Sequence, residues 1–159
     1  MEKKRYYLAY GSNLNKDQMA WRCKDAVPLG TAEIKDYRLL YKGSKSGAYL
    51  TIEKAEGSTV PVAIWAVSAE DEEHLDRYEG CPVFYYKTEM EITYTGIKTG
   101  KKRKVRAFVY IMHEDRPFGI PSKHYVDICR IGYDDFGFNQ KVLSSALQNS
   151  LEELKWKQV

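Results

Sequence analysis

A chain of 159 residues is long enough for one well-packed domain and too short for two comfortable ones, so a single domain spanning 1–159 is expected. The formal net charge is +3, but Lys98, Lys101, Lys102, Arg103 and Lys104 fall in one short segment and the remainder carries −2, so bulk charge gives no reason to expect a nucleic-acid partner. Cys23, Cys81 and Cys129 are widely spaced with no Cys-x-x-Cys pair, which argues against a disulfide framework and a zinc site; no apolar run is long enough to cross a bilayer, and a cytoplasmic location is expected.

Tyr6-Tyr7-Leu8-Ala9-Tyr10 is an aromatic, apolar run of the kind that favours a buried strand, broken by the polar turn Gly11-Ser12-Asn13. Asn15 suits the cap of a following helix with Gln18 three residues on, and Leu14 and Met19 stand at hydrophobic-staple positions. Strand, Gly-Ser turn and helix start together present unpaired N–H donors suited to a carboxylate or an oxyanion. After a helix to about Cys23, Val27-Pro28 reads as a turn, with strands expected over 29–34, 37–42, 48–53 and 60–67 and connections at 43–47 and 56–58. Pro61 restricts the last of these to an end or an edge.

Ser68, with Asp71 at the reciprocal position and acids crowding the first turn, opens a helix expected to run to Glu79 and stop at Gly80. A strand over 84–94 and its return over 105–112 flank a hairpin connection at 96–104, whose lysines read as a solvated turn. Ser122 caps a helix expected to end at Gly132, and Tyr133 to Phe138 reads as a connection. Val142, Leu143, Ala146, Leu147, Leu151 and Leu154 recur at helical spacing, predicting a closing amphipathic helix laid on the sheet. Many strands with interspersed helices and at least one hairpin argue for an α+β domain with a mixed or antiparallel sheet, possibly closed into a barrel.

Glu79 is the first candidate for chemistry. It sits in the last helical turn, beside the negative end of the helix dipole and near Asp76, and both disfavour its charged form; burial among Tyr78, Cys81, Val83 and Phe84 would add desolvation. A carboxyl group tuned upward suits proton transfer near neutral pH. The tyrosines form a second set: Tyr10, Tyr85 or Tyr86, Tyr110 and Tyr125. His74, His113 and His124 are dispersed without ligand spacing, so no metal is expected, and the glycines match neither a phosphate loop nor a dinucleotide fingerprint.

With Tyr10-Gly11-Ser12-Asn13-Leu14, Leu75-Asp76-Arg77-Tyr78-Glu79-Gly80 and Pro121-Ser122-Lys123-His124-Tyr125 in this order, the chain resembles the γ-glutamylcyclotransferase-like family from Tyr6 to about Leu147. The resemblance implies a small mixed β-barrel with flanking helices and a cofactor-independent enzyme acting on a small γ-glutamyl substrate. It further implies that Tyr10, Gly11, Ser12 and Asn13 bind the γ-glutamyl group, that Glu79 is the acid/base, that Tyr125 lines the pocket, and that either Tyr85 or Tyr86 joins it. The implied reaction closes the γ-glutamyl group of an amide or dipeptide to 5-oxoproline and releases an amine or amino acid. A γ-glutamylamine or a γ-glutamyl-protected biosynthetic intermediate as substrate, and a non-catalytic binding module on the same fold, stand as alternatives.

Overall fold

The computed structural model describes residues 3–44 and 47–157; Lys45 and Ser46, within the expected connection at 43–47, lie outside the described residues. Among these residues five strands close into a barrel: β1 (Arg5–Ala9), β2 (Val27–Lys42), β3 (Tyr49–Val67), β4 (Tyr85–Gly96) and β5 (Lys102–Met112). Their order around the barrel is β1-β3-β2-β4-β5. β1 joins β5 in parallel, with Tyr6 opposite Ala107 and Tyr7 opposite Phe108, and the other neighbours are antiparallel. The mixed α+β barrel read from the sequence is the observed fold.

The strands are longer than the sequence suggests. The strands expected at 29–34 and 37–42 are one, β2, and Val27-Pro28 belongs to it; those at 48–53 and 60–67 are likewise one, β3. The ladder runs through the interruption as a bulge: Lys35 pairs with Thr59 and Tyr37 with Lys54, so Asp36 stands opposite residues 55–58. Asp36 adopts a φ of 63°, and the Gly57 N–H donates to its Oδ1 at 3.0 Å. Local turn chemistry is present there, but continuous pairing on both sides overrides it. Pro61 lies opposite Glu33 at a height that β1, which reaches β3 only at residues 63–67, does not cover, in keeping with an edge position.

Four helices flank the barrel: α1 (Lys16–Arg22), α2 (Ala69–Tyr78), α3 (Lys123–Asp135) and α4 (Lys141–Lys157). Asn15 caps α1 by accepting from the Gln18 N–H at 3.1 Å, and Ser68 and Asp71 form the expected capping box of α2. At the other end of α2, Glu79 is the cap and Gly80, at φ 62°, takes the left-handed position. The Cys81 N–H then reaches the Asp76 carbonyl at 2.9 Å and the Gly80 N–H the Arg77 carbonyl at 3.2 Å, a Schellman termination.

Gly132 does not stop α3, as the sequence led us to expect. It lies inside the helix, where a Cβ would fall 2.6 Å from the Asn15 nitrogen and 2.7 Å from the Leu14 Cβ. Its missing side chain lets α3 pass against the Ser12–Leu14 3-10 turn, so the helix carries on through Tyr133 to Asp135.

Closing the barrel's flank, α4 packs on β2, and the buried Ser150 Oγ accepts from the Tyr41 N–H at 2.9 Å. Ser150→Ala therefore leaves a buried strand N–H without its partner, and urea unfolding is expected to show a loss of about 1–2 kcal/mol. Lys42, nearly fully buried, pairs with Glu53 at 2.5 Å and donates to the Glu114 carbonyl at 2.7 Å. The bond to Glu114, together with the Gly43 N–H on the Pro117 carbonyl, fastens the 113–121 connection to the end of β2.

The basic segment is only partly a turn. Lys102, Arg103 and Lys104 are exposed residues of β5, and Lys104 pairs with Glu91 at 3.2 Å across the hairpin. Among the described residues no helix is long and apolar enough to cross a membrane, and no three His, Cys, Asp or Glu side chains gather as a metal site would need. The three cysteines are free.

Candidate active site

One cavity of about 390 Å³ opens where the turn after β1 meets the end of α2. Its lining includes Tyr10, Gly11, Ser12, Asn13, Glu79, Tyr85, Tyr110 and Tyr125, so all the candidates read from the sequence except the alternative Tyr86 meet there. Between the two tyrosines left open, Tyr85 faces the cavity. Tyr86 instead donates its hydroxyl to Glu114 at 2.6 Å and packs its ring near His113.

Each side chain is held by a neighbour from a distant element. The Tyr10 hydroxyl donates to the Tyr110 carbonyl at 2.7 Å, tying the loop to β5. Tyr85 donates to the Leu50 carbonyl at 2.7 Å and the Leu50 N–H donates to the Tyr125 hydroxyl at 3.1 Å, so two tyrosines grip one peptide unit of β3. Gly11 faces that grip closely: a Cβ there would sit 3.2 Å from the Tyr125 hydroxyl. Ser12 Oγ and the Tyr78 hydroxyl are 3.1 Å apart.

Asn13 bridges the loop to the carboxyl group. Its Nδ2 donates to the Tyr7 hydroxyl at 2.8 Å and to Glu79 Oε1 at 3.4 Å, while its Oδ1 accepts from Arg22. Arg22 also donates to Gln18 Oε1 at 3.0 Å, and its guanidinium lies 3.4 Å from the centroid of the Tyr78 ring.

Burial pushes the Glu79 carboxyl up to about 7, against the opposing pull of the Arg22 guanidinium. Desolvation, one of the causes the sequence suggested, is therefore the leading one, and the Asp76 charge is not among the causes of the shift. Asp76 is engaged elsewhere: it accepts from the Tyr110 hydroxyl at 2.5 Å and pairs with Lys87 at 3.0 Å. Tyr7, Tyr10, Tyr85 and Tyr125 are pushed well above the ordinary tyrosine range, first by burial and, for Tyr7 and Tyr10, next by the Glu79 charge, so they remain neutral hydrogen-bonding groups. Removing the guanidinium as Arg22→Gln should move Glu79 above about 7, to be followed by NMR titration of its carboxyl carbon.

The family model for γ-glutamyl cyclotransferase, AIG2-like, matches residues 7–127, which contain the whole lining of this cavity. The chain belongs to this family. Curated relatives include γ-glutamylcyclotransferase of Bos taurus, 28% identical over 153 residues with 90% of this chain and 79% of the relative covered. The Mus musculus γ-glutamylcyclotransferase is 27% identical over 143 residues, covering 85% and 73%. A solved γ-glutamyl cyclotransferase structure superposes with a TM-score of 0.71 at 24% identity, over 91% of this chain and 86% of that one, which shows the shared fold. The family membership makes this chain an enzyme of the γ-glutamylcyclotransferase type.

The sequence argument missed several residues that line or support this cyclotransferase-family cavity. Tyr7 reads as core and is buried, yet its hydroxyl holds Asn13. Arg22 carries no motif, and its return to Asn13 from the end of α1 has no local signature. Tyr49 opens β3 and Phe84 immediately precedes β4, and their meeting across the opening is set by barrel closure.

Proposed function

We propose that Glu79 is the general acid/base of an intramolecular cyclisation that converts the γ-glutamyl group of an amide to 5-oxoproline. The observation that carries this reading is a carboxyl group near pH 7 in a cavity where buried, neutral tyrosines and a Gly-Ser-Asn turn surround it. A carboxylate of ordinary acidity would bind a proton too weakly to return it; one near neutrality both takes and gives.

Glu79 takes a proton from the substrate's α-ammonium group. The freed amine attacks the γ-carbonyl carbon, closing a five-membered ring, and the bond to the departing nitrogen breaks as that nitrogen is protonated through Glu79. Over the whole reaction the α-nitrogen loses two protons and the departing nitrogen gains two, so Glu79 is regenerated. The nucleophile is tethered, and the pocket's task is to fold the chain into the attacking conformation. Tyr10, Gly11, Ser12, Asn13, Tyr85 and Tyr125 bind the γ-glutamyl group in this reading. Asn13 spends its side chain on Tyr7, Glu79 and Arg22, so what it offers the substrate is main chain. The N–H groups opening the 3-10 turn have no carbonyl partner inside it and suit a carboxylate or a developing oxyanion.

The test is 5-oxoproline release from a panel of γ-glutamyl dipeptides and γ-glutamylamines by the purified protein. Turnover of at least one member supports the reaction. Binding of γ-glutamyl ligands with no turnover of any would replace it with a non-catalytic binding function.

A further inference from the structure

The cavity has two chemically distinct zones. Tyr7, Tyr10, Ser12, Asn13, Tyr85 and Tyr110 are all buried and offer polar groups. At the opening stand Tyr49, 43% exposed, and Tyr78, 46% exposed, with Phe84 and the exposed side chain of Arg77. The Tyr49 ring meets Phe84 edge-on at 6.1 Å and Tyr125 at 5.1 Å, and the Arg116 guanidinium lies 4.5 Å from the Phe84 centroid.

Arg77 is the cation of the lining itself, whereas Arg116, also without a carboxylate within 4 Å among the described residues, lies over the Phe84 ring from outside it. Arg5, Lys42 and Lys87 are each paired with a carboxylate, but among the described residues none lies within 4 Å of Arg77. A substrate whose scissile amide reaches Glu79 has its charged glutamyl end in the buried polar zone. Its departing group must then face the opening, between an uncommitted guanidinium and an aromatic wall.

Resting on the function proposed above, we infer that Arg77, Tyr49 and Phe84 form a subsite for the departing group and select an amino acid with an aromatic side chain over a simple amine. The guanidinium reads the departing group's carboxylate and the rings its flat apolar side chain. Arg77 also sits in the last turn of α2, where a cation suits the carbonyl end of the helix. That structural role would not change the ratio between two substrates, so substrate ratios separate the roles.

Three substrates make the test: γ-glutamylphenylalanine, its decarboxylated counterpart γ-glutamylphenethylamine, and γ-glutamylglycine. Wild type is expected to favour the first over each of the others by about fivefold in kcat/KM, the size of a partly exposed charged contact or an aromatic pair. Arg77→Gln should bring the phenylalanine dipeptide down to the level of the amine, with Arg77→Lys retaining part of the preference. Tyr49→Ser should shrink the advantage over γ-glutamylglycine. Wild-type ratios near or below one, or ratios that Arg77→Gln leaves unchanged, would overturn this subsite while leaving the cyclisation standing. No 5-oxoproline from any of the three or from the wider panel would overturn the cyclisation itself and the subsite with it.

Discussion

Replacing Glu79 by glutamine is expected to lower kcat by about 10²–10⁴-fold, the usual contribution of a positioned acid/base, while the protein stays folded. Glutamine preserves the shape and can still accept from Asn13, so circular dichroism should be unchanged. The pH profile gives a second reading. The reaction begins with a carboxylate, so kcat/KM of the wild type should rise with pH through about 7, the value to which burial lifts Glu79. That limb should be missing from whatever activity the variant retains.

Stability should move the opposite way. In the folded protein Glu79 holds its proton to about pH 7, whereas unfolded it releases it near its ordinary value of 4.5. The folded state therefore binds more protons between these values, and stability falls as pH rises through that window, by about 3 kcal/mol in total from this group. Glu79→Gln removes the penalty, so urea unfolding should show the variant more stable than wild type at pH 8 and little different at pH 4. An inactive variant that gains stability only above neutrality would tie the lost activity to the same buried charge. Equal turnover by variant and wild type would remove Glu79 from the mechanism.

The second large effect is expected from Gly132→Ala. Helix propensity alone predicts a gain of about 1 kcal/mol, because glycine is a poor helix interior residue. Packing predicts the reverse. The new methyl group would lie 2.6–2.8 Å from the Asn15 nitrogen and from the Leu14 Cβ and carbonyl carbon, and main chain cannot step aside as a flexible side-chain end can. A net loss of about 3 kcal/mol is expected in urea unfolding, at the upper end of overpacking costs. The strain falls on the segment joining the Gly-Ser-Asn turn to α1, so 5-oxoproline release should fall as well. Stabilisation by this substitution would mean that α3 and the turn are not in the close contact described.

Why Gly132 misled is instructive about what a sequence displays. A glycine late in an amphipathic stretch carries the local signature of a helix end, and Gly80 is one, confirmed by its left-handed φ of 62°. Gly132 has the same letter for a reason that lies 117 positions earlier in the chain, at Asn15. The merged strands follow the same logic: Asp36 and Gly57 supply honest turn chemistry, but pairing between β2 and β3 continues past them. Elements whose signals are local were legible, among them the Ser68 capping box, the Asn15 cap and the hairpin alternation of Met90, Ile92 and Tyr94. The site was legible where motif residues enter it. Tyr49 was not, since it meets Phe84 and Tyr125 only once distant segments come together, and Tyr7 and Arg22 were not, since their side-chain bonds to Asn13 carry no sequence motif. The upward shift of Glu79 was anticipated with burial among its suggested causes, but that burial leads could be read only from the folded barrel, because burial is a tertiary quantity and a helix dipole a local one.

The parallel seam between β1 and β5 has a consequence for how the enzyme comes into being. Tyr7 stacks on Phe108 at 5.3 Å and meets Tyr110 edge-on at 5.8 Å across it, so the cavity's innermost wall joins residues about a hundred positions apart. Closing so long a loop is entropically slow and is rewarded only when the last strand docks. A nascent chain that has emerged as far as β4 holds the Gly-Ser-Asn turn and Glu79, but lacks the strand that encloses them. Catalytic competence should therefore appear late and all at once in refolding, tracking the docking of β5 more closely than the gain of helix.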